Sequence, residues 1–185
     1  MTPELPFLAG YPDALRSAAQ QALAEGRLAA DLARRYPDAH GVRNDAALYA
    51  HAMALKQRYL RNAPPLAKVC FDNRLQIDQR TLGTLTAISR VQGNQLKAKR
   101  EIRVAAVFKD APAAMLQMIV VHELAHLRER EHNKGFYALC EHMLPGYHQV
   151  EFDLRLYLSL RASQAALAAL AVHSASATTT LPPSG

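Results

Sequence analysis

The spacing of apolar residues predicts helices near the start of the chain. Leucines and alanines recur at helical intervals through 13–35 and again through 42–62. Pro37 and Pro64 follow these segments, and proline ends helices because it lacks a backbone N–H. Gly26 is a weak point in the first segment. We therefore predict two N-terminal scaffold helices within 13–62.

The pattern changes at Leu66, where the apolar runs become short and rich in β-branched residues. The runs LAKVCFDN, TLTAISRVQG and EIRVAAVF are separated by glycine and asparagine, as strands commonly are. We expect a small antiparallel sheet of about three strands within 66–108. The connection between the second and third strands, 93–100, is basic.

A further change begins at Pro112, a residue type common in the first turn of a helix. The positions that follow, up to Val121, are apolar nearly all round, which is typical of a buried central helix, and we assign this helix to 113–131. Closing helices follow within 134–170. The last residues, 173–185, can bury almost nothing and are predicted to be a disordered tail. This order of elements indicates an α+β fold in one domain, 1–172.

The central helix contains the sequence HELAH, in which His122, Glu123 and His126 form an HExxH motif. Residues four apart on a helix differ by about 40° of rotation and about 6 Å of rise, so both histidines project from one face and can bind one metal ion. Glu123 then lies beside the metal, in the position of a general base that acts on metal-activated water. An ordinary amphipathic core helix is the alternative, but these side chains are costly to bury beside an apolar run without a partner.

The third metal ligand is less certain from spacing. A catalytic zinc usually has three protein ligands and leaves one position for water. On a continuous helix, His132 would lie about 240° round from His126 and about 9 Å further on, so the helix must end or bend if His132 is the ligand. The intervening residues 127–131 are all good helix formers. Spacing alone leaves the following other donors open: Glu141, His142, His148 and Glu151.

Charge and cysteine content narrow the class of protein. A net charge of +6 favours polyanionic partners or substrates. Cys70 and Cys140 lack CxxC spacing, so they indicate buried packing residues rather than a disulfide framework or a cysteine zinc site. The sequence shows neither a run of transmembrane length nor a basic leader, which predicts a cytoplasmic protein without a membrane partner.

The basic residues of the segment 93–100, Lys97, Lys99 and Arg100, have two explanations. They can form a solvated hairpin, or they can form a surface that binds phosphate. Aromatic residues do not alternate with these charges, which weakens the case for a nucleic-acid platform based on stacking.

The block HELAHLREREHNKGFYALCEHMLPGYHQVEFDLRLYL resembles the YgjP-like metallopeptidase domain family, relatives of SprT-like and other zincin metalloproteins. The resemblance extends from about Arg43 to Leu160 and implies a zincin-like fold. In this family HExxH is followed, after five residues, by a histidine and shortly by an aromatic residue, and His132 and Phe136 match these positions. The resemblance therefore favours His132 as the third ligand. Glu129 replaces the helix-ending glycine of metzincins.

The resemblance implies a zinc-dependent hydrolase, in the first instance a metallopeptidase whose peptide substrate adds to 101–108 as a sheet edge. An alternative is a nucleoside-triphosphate pyrophosphatase, of the UTP type, that uses the basic segment for phosphates. A second alternative is a non-catalytic module, stabilised by zinc, that binds nucleic acid or a partner, although such a site has no need for Glu123. Zinc is the expected metal, and another divalent ion is the alternative.

Further residues are candidates for supporting roles. Contacts to the substrate or to the transition state are expected from Lys97, Lys99, Arg100, Tyr137 and His148, and Tyr147 and Arg128 are additional candidates for stabilising the transition state. Glu151 and Asp153 are candidates for orienting a ligand histidine.

Overall fold

A computed structural model describes residues 5–75, 83–92 and 95–177, and for 83–92, 95–99 and 166–177 it describes the backbone alone. Helices precede and follow a small sheet, which confirms the α+β class. The described helices and strands are, in chain order, α1 (Asp13–Ala24), α2 (Arg27–Arg35), α3 (Asp45–Tyr59), β1 (Leu66–Asp72), β2 (Gly83–Gln92), β3 (Gln95–Ala105), α4 (Ala113–Ala125), α5 (Lys134–Met143) and α6 (Tyr147–Ala177). Short 3-10 helices lie at Pro6–Leu8 and Ala106–Lys109.

The segment 13–35 forms two helices, so the prediction of two helices within 13–62 is wrong by one. The chain turns at Gly26, which has a φ of +69° that residues with a side chain rarely adopt. The Gly26 N–H donates to the Leu23 carbonyl at 3.1 Å and closes the turn after α1. α3 starts at its own cap, because the Asn44 side chain accepts a hydrogen bond from the Ala47 N–H at 2.9 Å.

The described residues fall into two compact units. The unit Arg35–Phe152 holds the sheet, α3, α4 and α5, and its core residues come from all of these elements. The other unit holds the described residues up to Arg34 and from Asp153. The assignment of 1–172 to one domain stays a prediction.

The three described strands form a mixed sheet in the order β1-β3-β2. β1 pairs with β3 in parallel, with Val69 opposite Ile102, and β2 pairs with β3 antiparallel, with Leu85 opposite Ile102. The predicted all-antiparallel sheet is therefore wrong. The local sequence pattern identifies the strands but not the direction of β1. Its partner, β3, lies about 30 residues further along the chain, and β2, which comes between them in sequence, pairs with the other side of β3.

The position of β3 overturns two further predictions. β3 lies between β1 and β2, so 101–108 is not a sheet edge that can accept a peptide. β3 also begins at Gln95, which means that Lys97, Lys99 and Arg100 belong to a strand rather than to the connection before it. These charges occur in a strand because β2 pairs with β3 along its full length, from Gln92 opposite Gln95 onwards.

The observed ends of α4 and α6 differ from the predicted ones. α4 ends at Ala125 and not at residue 131, because the hydrogen bond from the Leu127 N–H to the Leu124 carbonyl tightens its last turn. α6 continues to Ala177, past the predicted helix end at 170, and alanine, the best helix former, is frequent there. Residues 178–185 of the predicted tail lie outside the described residues, and their disorder stays a prediction. In the described part of the chain, no helix combines the length and the apolar character needed to cross a membrane.

Candidate metal centre

α4 brings the first two histidines together. The helix is apolar and almost wholly buried. His122 lies in its last turn and His126 directly follows it as the C-cap residue. Both imidazoles are half-buried, and their ring centroids lie 5.0 Å apart. Glu123 follows His122 and is 1% exposed.

His132 reaches the same place because the helix stops early. The Leu127 N–H donates to the Leu124 carbonyl at 3.0 Å, which tightens the last turn, and residues 130–133 are not helical. Asn133 then caps α5, accepting a hydrogen bond from the Phe136 N–H at 2.9 Å. The residues of this turn therefore leave the helix against their intrinsic preference, because hydrogen bonds at the end of α4 and the start of α5 stabilise the turn.

The three histidines converge through their Nε2 atoms. The Nε2 of His132 lies 3.2 Å from the Nε2 of His122 and 3.1 Å from the Nε2 of His126. A tetrahedral zinc with Zn–N bonds of about 2.0–2.1 Å holds its nitrogen ligands roughly 3.3 Å apart. The observed spacing therefore fits one small metal ion bound by three imidazoles. Within the described part of the chain, these three histidines form the group of metal-binding side chains whose ligand atoms lie within 4.8 Å of one another.

A hydrogen bond at Nδ1, the other ring nitrogen of His126, indicates the tautomer of this side chain. Its Nδ1 lies 3.0 Å from the Glu129 carbonyl oxygen, which can only accept, so Nδ1 carries the proton. Burial lowers the pKa of His126 below its usual value, although the hydrogen bond to Glu129 opposes this change. A neutral His126 has an Nε2 lone pair directed at its neighbours, which is the form that binds a metal.

His122 has a different partner. Its Nδ1 lies 2.6 Å from the hydroxyl of Tyr147, the first residue of α6, which is fully buried. Tyr147 is also hydrogen-bonded to the thiol of Cys140. Sequence reasoning proposed Tyr147 as a helper at the transition state and did not foresee its contact with His122.

Phe136 packs against all three histidines. It is fully buried, and its ring centroid lies 5.0 Å from that of His122, 4.6 Å from that of His126 and 4.7 Å from that of His132. An apolar ring at this position excludes water from one side of the histidine group and limits the rotation of the imidazoles. The aromatic residue that the sequence pattern placed after the third histidine thus contacts the candidate ligands themselves.

The competing third ligands have other contacts. The Glu141 carboxylate accepts hydrogen bonds from the backbone N–H groups of Gly146, at 2.9 Å, and His148, at 3.2 Å. His142 is exposed and packs edge-on against Tyr59, with ring centroids 5.5 Å apart. Both side chains are therefore used away from the histidine group.

The predicted substrate contacts are only partly near the histidines. The ring of Tyr137 lies 6.3 Å from that of His132, so this candidate borders the site, and the exposed His148 packs against Tyr137 with ring centroids 5.0 Å apart. Arg128 is exposed and Arg100 is half-buried. The side chains of Lys97 and Lys99 lie outside the described part of the chain, and their contact with phosphate stays a prediction. The supporting roles of Glu151 and Asp153 also stay predictions.

Cys70 and Cys140 are both free and buried, in agreement with the prediction of packing residues. Burial raises the pKa of the Cys140 thiol to about 12, while the hydrogen bond with Tyr147 opposes the increase. Cys140 is therefore a neutral thiol at physiological pH, and a neutral thiol is a poor metal ligand.

Comparisons with known proteins agree with the resemblance. The family described as "YgjP-like, metallopeptidase domain" matches residues 84–157. A relative named "UTP pyrophosphatase", from Escherichia coli (strain K12), is 55% identical over 155 residues, which cover 84% of this chain and 93% of the relative. No solved structure was found to match the chain.

Proposed function

Since the chain belongs to the YgjP-like metallopeptidase domain family, a family of hydrolases, we propose that it is a metal-dependent hydrolase of nucleoside triphosphates, with UTP as the first substrate to test. The observation that carries the metal-dependent part is the convergence of three histidine Nε2 atoms. The buried Glu123 follows one of these histidines, His122, in the chain. The high identity to a protein named for its action on UTP supports the choice of substrate.

The metal would be held by His122, His126 and His132. Three nitrogen donors at this spacing suit zinc, although other first-row divalent ions also bind imidazole. When bound, the metal supplies Lewis-acid chemistry, which lowers the pKa of water and stabilises negative charge on phosphate oxygens.

Glu123 is the proposed general base. Its carboxylate would accept a proton from the attacking water and could return that proton to the leaving group. A buried carboxylate is costly unless a positive charge or hydrogen bonds compensate it, and a divalent ion beside it would provide that charge. The burial of Glu123 next to a candidate ligand therefore supports this role.

The proposed reaction is hydrolysis of a phosphoanhydride bond. Water adds to phosphorus, the bond to the bridging oxygen breaks, and the proton removed from the water ends on one of the two phosphate products. A net charge of +6 favours a substrate with several negative charges. Lys97 and Lys99 of β3 are the proposed phosphate contacts. Tyr137, whose ring lies 6.3 Å from that of His132, is proposed to border the bound substrate, and His148 packs against Tyr137.

Peptide hydrolysis is the second candidate, because the matching family is described as a metallopeptidase domain. The same histidines and the same glutamate would act on an amide. The strand expected to bind the peptide is central in the sheet, however, so a peptide would need another binding surface.

The two candidates are separated by assaying the metal-loaded protein on UTP, the other nucleoside triphosphates and a mixed peptide library. The proposal predicts phosphate or diphosphate release from UTP that stops when a chelator removes the metal and returns when zinc is added. Cleavage of peptides without turnover of any nucleotide would overturn the choice of substrate. Equal activity with and without metal would overturn the metal-dependent mechanism.

A further inference from the structure

The contact between Tyr147 and His122 connects the candidate metal centre to the start of α6. The tyrosine hydroxyl lies 2.6 Å from the histidine Nδ1, and the two rings are close to parallel, with 16° between their planes. Tyr147 is 0% exposed, so this hydrogen bond is shielded from water. A buried hydrogen bond of this length fixes both the orientation of a ring and the position of its proton.

The direction of the hydrogen bond follows from the other nitrogen of the imidazole. The His122 Nε2 lies 3.2 Å from the His132 Nε2, within the group of three imidazoles, and it binds a metal only through a free lone pair. In the metal-binding form the proton therefore lies on Nδ1, where the Tyr147 oxygen accepts it at 2.6 Å. With its proton on Nδ1, His122 has its Nε2 lone pair available toward the other two histidines.

Glu141 determines where the tyrosine lies. Its two carboxylate oxygens accept hydrogen bonds from the backbone N–H groups of Gly146 and His148, the residues on either side of Tyr147. Gly146 has a φ of +81°, which allows the tight turn between α5 and α6. A carboxylate bonded to both neighbours leaves the backbone at Tyr147 little freedom to shift away from His122.

We propose that Tyr147 is a positioning residue that holds His122 in the form that binds metal, and that Glu141 in turn fixes Tyr147. This inference rests on the proposed metal site, but not on the identity of the substrate. It gives a function to two residues considered above for other roles, a third metal ligand and a helper at the transition state. In metal sites, losing a partner of this kind typically weakens metal binding by about 10–100-fold.

The test measures zinc affinity rather than activity. Zinc dissociation constants of the wild type, Tyr147→Phe and Tyr59→Phe are compared by competition with a chromophoric chelator. Tyr147→Phe keeps the ring and removes only the hydroxyl, and we expect about 10–100-fold weaker binding. Tyr59→Phe removes a hydroxyl from α3 and should leave zinc affinity unchanged. Unchanged affinity in folded Tyr147→Phe would overturn the proposal.

A second measurement uses the wild type and does not depend on the stability of the variant. Nitrogen-15 NMR of the metal-free protein reports which ring nitrogen of His122 carries the proton. The proposal predicts a proton on Nδ1. A proton on Nε2 in the metal-free wild type would contradict the assigned direction of the hydrogen bond. Loss of UTP turnover plays no part in either measurement, so a wrong substrate assignment leaves this test intact.

Discussion

At the scale of single residues, three imidazoles meet, with the Nε2 of His132 within hydrogen-bond distance of the Nε2 atoms of both His122 and His126. Each neutral imidazole offers one lone pair, and three lone pairs directed at one point repel unless a cation or protons occupy it. The Glu129 carbonyl places the His126 proton on Nδ1, and we propose that the Tyr147 hydroxyl does the same for His122. The residues around the histidines thus prepare two of them for a metal.

The role of His132 as the third ligand can be tested by comparison with His142, which spacing alone left open as an alternative donor. His132→Ala should weaken zinc binding by more than the about 10–100-fold expected for loss of a supporting contact, because a metal bond itself is lost. His142→Ala is the matched control, since His142 is exposed and packs on Tyr59. Metal titration of both variants gives the comparison. Full zinc occupancy in His132→Ala would transfer the role to another donor.

His51 makes stability depend on pH. Burial lowers its pKa below the usual value of 6.5, with a further decrease from nearby His40, and its buried Nε2 has no hydrogen-bond partner among the described residues. The unfolded chain therefore binds this proton more readily than the folded protein does. Above pH 6.5 the effect is absent, and as pH falls below 6.5 the free energy of unfolding decreases.

The variant His51→Gln should lose less stability on acidification than the wild type. Urea unfolding at about pH 7.5 and about pH 5.5, with His142→Gln as an exposed control, measures this difference. If all three proteins lose the same free energy of unfolding between these pH values, His51 is not a source of the pH dependence.

At the scale of elements, the decisive feature is the end of α4. The HExxH spacing predicted that His122 and His126 share one face, because that depends only on helix geometry. Residues 127–131 have high helix propensity, so local propensity does not predict that the helix stops at Ala125. The turn depends on the Glu129 carbonyl bonded to His126 and on the Asn133 cap, which are contacts between side chains and backbone that helix propensity does not include. Asn133 before an amphipathic run was the available signal for the start of α5.

Comparing two asparagine caps separates the effect of this turn on zinc binding from a general loss of stability. Asn133→Ala and Asn44→Ala each remove an N-cap hydrogen bond of 2.9 Å and should each lower the free energy of unfolding by about 0.5–2 kcal/mol. Only Asn133 follows the third histidine directly. We therefore expect weaker zinc binding in Asn133→Ala alone, measured by chelator competition alongside chemical unfolding. Equal zinc affinity in the two variants would show that the cap does not position His132.

At the scale of the whole molecule, the sequence was least informative about the sheet. Strand positions follow from β-branched runs, whereas the parallel pairing of β1 with β3 joins residues far apart in the chain. Local charge was also misleading, since Lys97, Lys99 and Arg100 were assigned to a connection and belong to β3. What remained correct is the overall basic character, which does not depend on topology.

The charge of β3 should affect substrate binding if the substrate is a nucleotide. Lys97→Gln and Lys99→Gln should each raise KM for UTP by between about 3-fold and about 10-fold, with kcat little changed, because a phosphate contact of about 1 kcal/mol is lost. Lys68→Gln removes the same charge from an exposed position on β1 and serves as the control. Steady-state kinetics at constant ionic strength makes the comparison, and equal KM values in all variants would count against a phosphate role for β3.

The central claim is that Glu123 removes a proton from water beside a metal held by three histidines. The most direct measurement is the zinc content and the UTP turnover of Glu123→Gln beside the wild type, on the same preparation. We expect one zinc per chain in both proteins and a kcat reduced by about 10²–10⁴-fold in the variant, the range typical for loss of a general base. Wild-type turnover in zinc-loaded Glu123→Gln would contradict the claim.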